Sequence, residues 1–192
     1  MAKYDKILNY LDIPIQHIND GVLKLMNRRG TGEEIRALFT KLRERLPGLV
    51  LRTSLITGLP GEGEEEYEEL CNFLREFKIE RAGVFPYSPE EGTPAAEMED
   101  NTSEEEKQNR FERLLALQNE ITHEKTAQCV GKTFPVLVEG VSKENENLLT
   151  GHTDTFKLVH FEGDKKLIGQ IVNVRIKSAK TWYMIGEITE KE

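Results

Sequence analysis

The residues best suited to chemistry form one stretch, Arg52–Glu62, in which the letters RTSLI run into TGLPGE. An apolar run of strand length ends here in a turn that contains Gly58, Pro60 and Gly61, and an acidic helix start follows. Glycine lets a backbone approach a ligand closely, and α/β folds bind ligands at the carboxyl ends of parallel strands. The stretch therefore predicts either a ligand site or a purely structural strand–turn–helix corner.

Cysteine chemistry has little support in this sequence. Cys71 and Cys129 are far apart, and they provide neither a disulfide framework nor the spacing of a metal site. Cys71 shares the apolar side of a helix with Leu70, Phe73 and Leu74, which favours packing in the core. We therefore expect a cytosolic protein with no metal ligands of its own.

Composition and charge exclude several classes of function. The chain has 192 residues, of which 31% are charged and 38% hydrophobic, as in a folded soluble protein of one or two domains. No apolar run suits a membrane span, and no secretory signal is recognisable. The net charge of −8 argues against a protein that holds nucleic acid by bulk electrostatics. From Ala127 onward, nine basic residues balance nine acidic ones.

Alternating strand and helix patterns surround the glycine turn. Strands are predicted at Tyr10–Ile15, Leu49–Thr57 and Arg81–Tyr87, with apolar residues at helical spacing between them. Thr31 begins one of these helices and Pro47–Gly48 ends it. This order is typical of a parallel α/β sheet with right-handed crossovers. Three strands are few for such a sheet, so we expect part of a larger barrel.

A long helix and then a different pattern follow. Thr102 and Ser103 precede three glutamates and an apolar stripe, which predicts a helix to about Cys129. Beyond Gly131, short alternating runs are separated by turns rich in Gly, Asn, Asp and Lys, which predicts a small antiparallel barrel of OB-like size. Its five strands are expected at Phe134–Val138, Leu148–Gly151, Phe156–Phe161, Ile171–Ile176 and Trp182–Ile188.

Four motifs in order resemble a known enzyme family. They are Tyr10–His17 (YLDIPIQH), Leu25–Arg29 (LMNRR), Arg52–Glu62 and Ala82–Ala95. Together they resemble the second half of the radical S-adenosylmethionine (SAM) barrel of the methylthiotransferases, closest to the RimO type, which modifies an aspartate of a small-subunit ribosomal protein. The tail resembles the TRAM domain of these enzymes. Its segments Leu149–Gly163 and Ala179–Glu187 are more similar to the MiaB type, which modifies isopentenyladenosine beside the tRNA anticodon.

The resemblance implies a partial radical SAM barrel over residues 1–100, a connecting helix over 101–128 and a TRAM domain over 129–192. It also implies SAM as the cofactor and, in the full-length family, two 4Fe-4S clusters. These clusters are held by a CxxxCxxC motif and by three cysteines of an N-terminal domain, and neither set occurs in this sequence. Because such clusters need thiolates, we expect no catalytic residue and no activity in this chain alone. A missing amino-terminal half is the expected partner.

By resemblance, one group of residues belongs to the cofactor pocket. Gln16 offers an amide to cofactor or substrate, or makes a plain strand-end hydrogen bond. Arg52 has the fork geometry that suits the carboxylate of SAM, with a surface ion pair as the alternative. Thr53 and its neighbour Ser54 point to opposite faces, so at most one of them faces the pocket. The predicted set is Gln16, Arg52, Thr53, Gly58, Pro60, Gly61, Phe85 and Tyr87.

A second group is assigned to the substrate. His17 is able to titrate near neutrality, although a structural role is commoner. Arg28 and Arg29 suit an acidic or phosphate-bearing substrate, or simply complement a helix dipole. In the tail, cations surround one aromatic residue as on OB-like binding surfaces, although Trp182 suits the barrel core equally well. These tail residues are Lys157, His160, Lys177, Lys180 and Trp182, of which Lys157, Lys180 and Trp182 are assigned to the substrate.

We therefore expect the carboxyl-terminal part of a RimO-like methylthiotransferase that acts on a ribosomal-protein aspartate. A MiaB-like enzyme that acts on tRNA is the first alternative. The second alternative belongs to another class, a stand-alone TRAM-type module that binds RNA or the ribosome without catalysis. No membrane partner is expected.

Overall fold

The computed structural model describes residues 1, 3–4, 6–100 and 102–189. Residues 101 and 192, at which predicted domain boundaries fall, lie outside the described residues. The chain forms two compact units. One consists of Leu11–Ile121, and the other consists of Met1–Tyr10 together with Thr122–Glu192.

The unit Leu11–Ile121 is an α/β unit. Its three strands form one sheet in the order β1-β2-β3, and β2 and β3 are parallel, as the alternating pattern predicts. Its elements are β1 (Tyr10–Asp12), α1 (Asp20–Leu25), α2 (Gly32–Arg45), β2 (Val50–Thr57), α3 (Glu64–Phe77), β3 (Arg81–Pro86) and α4 (Glu104–Ala127).

The first strand is shorter than the predicted strand Tyr10–Ile15. β1 ends at Asp12, because Pro14 has no N–H with which to continue the ladder. Pairing resumes at Gln16, which forms an isolated parallel bridge with Leu55. The segment after β1 therefore still runs alongside β2 as far as Gln16.

The two faces of β2 differ in burial. From Leu51 onward, buried residues alternate with half-buried ones, so the strand turns one face to the core and leaves the other open. The buried side chains are Leu51, Thr53, Leu55 and Thr57, and those of the open face are Arg52, Ser54 and Ile56.

Aromatic packing and a partly buried ion pair fix the positions of helices in this unit. Phe39 of α2 meets Phe73 and Phe77 of α3 with ring centroids 5.4 and 5.8 Å apart. Both terminal nitrogens of Arg43 donate to the Glu80 carboxylate at 2.9 Å. Such a bidentate pair is directional as well as attractive, so it fixes α2 against the chain that precedes β3.

The second unit contains a closed five-stranded barrel in the order β4-β5-β6-β8-β7. Small apolar side chains and one phenylalanine fill it, including Val136, Val159, Phe161 and Val174, all fully buried. Four of its strand pairs are antiparallel, as predicted, whereas β6 and β8 pair in parallel where the barrel closes. The strands are β4 (Thr133–Val141), β5 (Leu148–Thr153), β6 (Leu158–Glu162), β7 (Ile171–Ala179) and β8 (Met184–Ile188).

Two aromatic residues that were predicted to begin barrel strands lie outside them. Phe156 has φ of 59°, a left-handed conformation that no strand accommodates, and β6 begins only at Leu158. Trp182 precedes β8 and is 46% exposed, so it is not part of the barrel core. Within the described ranges, no helix combines the length and the apolar character required to cross a bilayer.

Candidate functional site

A cavity of about 540 Å³ lies at the carboxyl ends of β2 and β3. Its volume falls within the range of roughly 300–1,000 Å³ that is usual for small-molecule sites. The position is the one at which α/β sheets bind ligands. The cavity is lined by Gln16, Met26, Ser54, Ile56, Leu59, Phe85, Pro86, Tyr87, Ser88, Glu90, Thr93 and Ala95.

Gln16 lines this cavity from a strained backbone position. Its φ is 68°, which is rare for a residue other than glycine. The surrounding sheet holds that conformation, because Gln16 N donates to Ser54 O at 2.9 Å and Gln16 O accepts from Ile56 N at 2.9 Å. Strain of this kind persists where neighbours fix it, and it is common at ligand sites. Gln16 therefore makes the strand-end hydrogen bonds and lines the cavity as well.

Phe85 and Tyr87 form the wall contributed by the third strand and the residue after it. Phe85 is 52% exposed although it is a large apolar side chain, and it lies on the cavity. Tyr87 N donates to Thr57 O at 2.8 Å, which extends the pairing of β3 with β2. Within the described part of the chain, the buried Tyr87 hydroxyl has no hydrogen-bond partner. The arrangement leaves an aromatic surface on the cavity for a ligand.

Of the glycine turn, residues 58–61, Leu59 lines the cavity and Gly58, Pro60 and Gly61 do not. Gly58 and Gly61 have φ of 74° and 83°. A Cβ on Gly58 would lie 2.5 Å from Cγ of Lys107, and one on Gly61 would lie 2.5 Å from Leu25 Cδ1. Pro60 is buried between them. These residues shape the turn through backbone conformation and close packing.

A buried carboxylate, Glu62, ties the turn to α4. Glu62 Oε1 accepts from Gly58 N at 2.9 Å and from Arg110 Nη1 at 3.2 Å, and its backbone oxygen accepts from the same nitrogen at 2.7 Å. His17 is fully buried, with Nε2 3.3 Å from Glu62 Oε2. Asn19 N donates to His17 Nδ1 at 3.1 Å, so the ring proton belongs on Nε2. The structure therefore places His17 in this network and not in the lining of the cavity.

Lys107 of α4 packs its aliphatic chain on Gly58 and directs its ammonium toward acidic side chains. The Nζ atom lies 2.6 Å from Asp100 and 2.7 Å from Glu104. Hydrogen bonds to Asp100 and then to Glu104 raise the pKa of the Lys107 ammonium above its ordinary value. The same atom lies 5.9 Å from the centroid of the Tyr87 ring. Lys107 thus contacts both the turn and the cavity wall.

Arg52 and Thr53 lie outside the cavity lining. Arg52 shares the open face of β2 with Ser54 and forms an ion pair with Asp12. Thr53 points to the buried face, where its hydroxyl donates to Ile13 O at 2.8 Å. The structure therefore brings Gln16, Phe85 and Tyr87 together but leaves these two residues apart from them.

The predicted substrate residues are dispersed. Arg28 and Arg29 are exposed, and Arg28 Nη1 donates to Pro14 O at 3.1 Å. In the barrel unit, Trp182 is 46% exposed, Lys180 is exposed and Lys157 is half-buried. His160 differs from these residues because it is buried, and burial lowers its pKa and so disfavours a positive charge.

Several residues of the cavity were missed at the level of sequence. Ser54 and Ile56 follow Arg52 at a spacing of two, so all three lie on the same face of β2. This alternation would have assigned Ser54 and Ile56 to the cavity if the face of β2 that lines it had been known. Ser88, Glu90 and Thr93 lie within the motif Ala82–Ala95 and line the cavity, although none of them was assigned to the site. No local sequence pattern marks a loop residue as part of a pocket, because the loop meets the strand ends only after the chain has folded.

The two cysteines lie in different compact units of the chain. Cys71 and Cys129 are buried free cysteines, and burial raises the pKa of each. The core position of Cys71 is the one that its helical spacing predicts. Over the described ranges, no group of three or more His, Cys, Asp or Glu side chains is arranged to hold a metal ion.

Comparison with known proteins relates this chain to one family. The model described as "Radical SAM superfamily" matches residues 1–74, and the one described as "TRAM domain" matches residues 127–189. The tRNA-2-methylthio-N(6)-dimethylallyladenosine synthase of Anoxybacillus flavithermus is 44% identical over 191 residues. The ribosomal protein uS12 methylthiotransferase RimO of Geotalea uraniireducens is 44% identical over 189 residues. This chain is homologous to part of the radical SAM methylthiotransferases of the MiaB and RimO types.

The matches cover almost all of this chain but less than half of each relative. It includes 100% of this chain and 36% of the Anoxybacillus protein, and 96% of this chain and 42% of the Geotalea protein. The synthase of Bacillus subtilis is also 44% identical, with 98% of this chain and 37% of the relative covered. The chain therefore spans about two fifths of the length of these relatives.

A solved structure supports the same fold class. Coproporphyrinogen III oxidase (HemN) from Escherichia coli, described as a radical SAM enzyme, superimposes with a TM-score of 0.51 at 21% identity. The alignment covers 76% of this chain and 41% of that protein. The predicted fold class, part of a radical SAM barrel joined by a long helix to a TRAM barrel, is confirmed.

Proposed function

We propose that this chain forms one wall of the SAM pocket and the TRAM barrel of a radical SAM methylthiotransferase. The observation that carries the proposal is the cavity of about 540 Å³ at the carboxyl ends of β2 and β3, with a strained glutamine and a half-exposed phenylalanine in its wall. Residues 1–100, 101–128 and 129–192 remain the proposed division into barrel part, connecting helix and TRAM domain.

The cavity suits a cofactor with apolar and polar portions. Ile56, Phe85 and Pro86 would pack against the apolar portion and exclude water, while the Gln16 amide and the Ser54 hydroxyl would orient the polar portion. When bound, SAM supplies a sulfonium that is cleaved reductively. Arg52 lies outside the lining, so binding of the SAM carboxylate by its guanidinium requires exchange of its Asp12 partner.

The residues of this chain do not fit an iron–sulfur cluster. Both thiols are buried and lie in different compact units, whereas cluster ligation takes several convergent thiolates. We propose that the ligands of both clusters of the family come from outside this chain and that the chain alone is inactive.

We propose that the substrate is a protein, an aspartate of a small-subunit ribosomal protein. The four motifs of the barrel part resemble the RimO type, and the net charge of −8 suits a cationic partner better than a polyanion. The second candidate is tRNA. It is favoured by the tail motifs and by tRNA-modifying relatives that are 44% identical, the same value as the RimO relatives.

Two chimaeras test the proposal and its alternative. In one, this chain replaces the corresponding segment of RimO from Geobacter sulfurreducens, and in the other it replaces that of the Bacillus subtilis synthase. Mass spectrometry of ribosomal protein uS12 and of tRNA then detects methylthiolation. We expect the RimO chimaera to modify uS12 and the other to lose tRNA modification. The reverse result would support tRNA as the substrate. Loss of both activities in chimaeras that retain normal iron content would contradict the proposed function.

A further inference from the structure

The segment 87–100, here called the strap, runs from the residue after β3 toward α4 and borders the cavity. Its first hydrogen bond, from Tyr87 N to Thr57 O at 2.8 Å, joins it to β2. The bonds that follow, such as the one from Thr93 N to Glu90 O, connect residues of the strap with one another. The strap contributes several of the residues that line the cavity, namely Tyr87, Ser88, Glu90, Thr93 and Ala95. Its position therefore determines the shape of this side of the cavity.

The far end of the strap is attached through Asp100. The Asp100 carboxylate lies 2.6 Å from Nζ of Lys107 on α4, and its side chain is 24% exposed. Asp100 Oδ1 also accepts from Thr102 N at 3.1 Å. In the part of the chain that the structure describes, no residue between Tyr87 and Asp100 forms a hydrogen bond or ion pair with a residue outside the strap. The ion pair between Asp100 and Lys107 is therefore the polar attachment of the strap to α4.

Lys107 meets the strap at both of its ends and also meets the glycine turn. Its ammonium lies 5.9 Å from the centroid of the Tyr87 ring, and its aliphatic chain leaves no room for a Cβ on Gly58. The Lys107 side chain is only 6% exposed, and lysine is almost never so deeply buried unless it is paired. Removal of one partner from a buried pair costs far more than removal of an exposed partner. One side chain thus fixes the strap relative to the turn that supplies Leu59 to the cavity.

Glu104 contacts the same ammonium from a different place in the structure. Its carboxylate lies 2.7 Å from Lys107 Nζ, and its side chain is 87% exposed. Because Glu104 is three positions before Lys107 on the same helix, this pair connects α4 only with itself. Exposed pairs of this kind contribute little to stability. Loss of the Glu104 carboxylate therefore removes the same charge as loss of the Asp100 carboxylate but leaves the strap attached.

We propose that Lys107 is a positioning residue for the ligand of the cavity and that it acts through the strap. Lys107 does not line the cavity. Its ion pair with Asp100 holds the strap against the ends of β2 and β3, so that the wall that begins at Tyr87 is in place before the ligand arrives. Such preorganisation raises affinity, because the ligand does not have to order the wall. The identity of the ligand as SAM rests on the proposed function, whereas the attachment of the strap is measurable without any ligand.

The first measurement uses the full chain without ligand and compares the NMR order parameters of backbone amides in residues 88–98. We expect Asp100→Asn and Lys107→Met to lower these values toward the range below about 0.6 that marks flexible backbone. Lys107→Met retains an aliphatic chain against Gly58 and removes only the ammonium. Glu104→Gln is the control and should leave the strap as ordered as before, and amides of β2 should be unchanged in every variant. Unchanged values in Asp100→Asn, or an equal decrease in Glu104→Gln, would overturn the proposal.

The second measurement is the affinity of the RimO chimaera for SAM, determined by equilibrium dialysis at equal iron content. Asp100→Asn and Lys107→Met should each weaken binding about tenfold, which corresponds to about 1.4 kcal/mol, and Glu104→Gln should not. Asp100→Glu keeps a carboxylate for Lys107 and should restore most of the affinity. A looser strap without loss of SAM affinity would refute the positioning role. A chimaera that binds no SAM would refute the proposed function alone, because the order parameters of the full chain still report the attachment of the strap.

Discussion

His17 Nε2 lies 3.3 Å from Glu62 Oε2, and neither side chain is exposed to solvent. His17 directly follows Gln16, which lines the cavity, and Glu62 directly follows the turn whose Leu59 lines it. The contact therefore connects the two segments that contribute Gln16 and Leu59 to the lining of the cavity. Arg110 adds α4 to the same network, since it bonds both the carboxylate and the backbone oxygen of Glu62.

Removal of the Glu62 carboxylate should destabilise the α/β unit. Glu62→Ala leaves Arg110 and Gly58 N without their acceptor, and loss of one partner from a buried ion pair costs about 3–5 kcal/mol. Glu62→Gln should cost less, because it retains an oxygen for Gly58. Native-state hydrogen exchange of core amides in β2 measures the free energy of unfolding for this unit alone. The control is Glu65→Gln, an exposed change in the first turn of α3 that should lie within about 0.5 kcal/mol of the original. Equal values for Glu62→Ala and Glu65→Gln would refute a supporting role for Glu62.

The glycine turn offers a matched pair of substitutions. Gly58 and Gly48 both have positive φ, 74° and 81°, so alanine at either position is strained by roughly 1–2 kcal/mol. A Cβ at Gly58 also meets Lys107 at 2.5 Å, whereas one at Gly48 meets nothing within 4 Å. We expect Gly58→Ala to cost about 1–3 kcal/mol more than Gly48→Ala because of overpacking. Thermal and urea unfolding compare the two variants, and equal costs would show that Lys107 moves aside freely.

The order of the strands and helices was predictable because local periodicity and turn residues encode it. The capping box at Thr31 and Glu34 is an example, since the residues that define it are three positions apart. The end of β1 was predicted less well, because the effect of Pro14 competes with an apolar run that continues past it. The parallel closure of β6 on β8 depends on contacts between distant segments, and no local signal announces it.

The sequence predicted those residues of the candidate site that lie at predicted strand ends, and it predicted the others less well. Gln16, Phe85 and Tyr87 were assigned to the pocket and line the cavity. Thr53 lies on the opposite face, and strand alternation shows only that it and Ser54 differ, not which of the two faces inward. For His17 the sequence left open a substrate contact or a structural role, because its burial against Glu62 depends on a turn more than forty positions away.

The cysteine content predicts the outcome of cluster reconstitution. With two buried thiols in separate units, the isolated chain should bind no stoichiometric 4Fe-4S cluster and should not cleave SAM after anaerobic treatment with iron and sulfide. Iron analysis and absorbance spectra measure the first expectation, and chromatography of SAM products measures the second. Stoichiometric cluster absorbance that disappears in Cys71→Ser or Cys129→Ser would contradict the prediction.

Acid should destabilise the barrel unit through His160. Burial lowers the pKa of His160 below its ordinary value of about 6.5, although the Glu144 carboxylate opposes the shift. The unfolded chain therefore binds the proton more readily, and stability should fall as the pH drops below about 6.5 toward the folded-state pKa. His160→Gln should flatten this dependence, and His123→Gln, at an exposed position on α4, should not. Melts monitored by Trp182 fluorescence across this pH range provide the comparison, and identical pH profiles for both variants would rule out His160 as the cause.

The affinity of the RimO chimaera for SAM tests most directly whether the cavity at the ends of β2 and β3 is the cofactor site. Ser54→Trp fills the cavity from the open face of β2, and Ser178→Trp places the same side chain on an exposed barrel position as the control. Equilibrium dialysis with labelled SAM should show affinity reduced at least about tenfold by Ser54→Trp and unchanged by Ser178→Trp, with iron content equal in both. Undiminished SAM binding in the Ser54→Trp chimaera would contradict the assignment of this cavity to the cofactor.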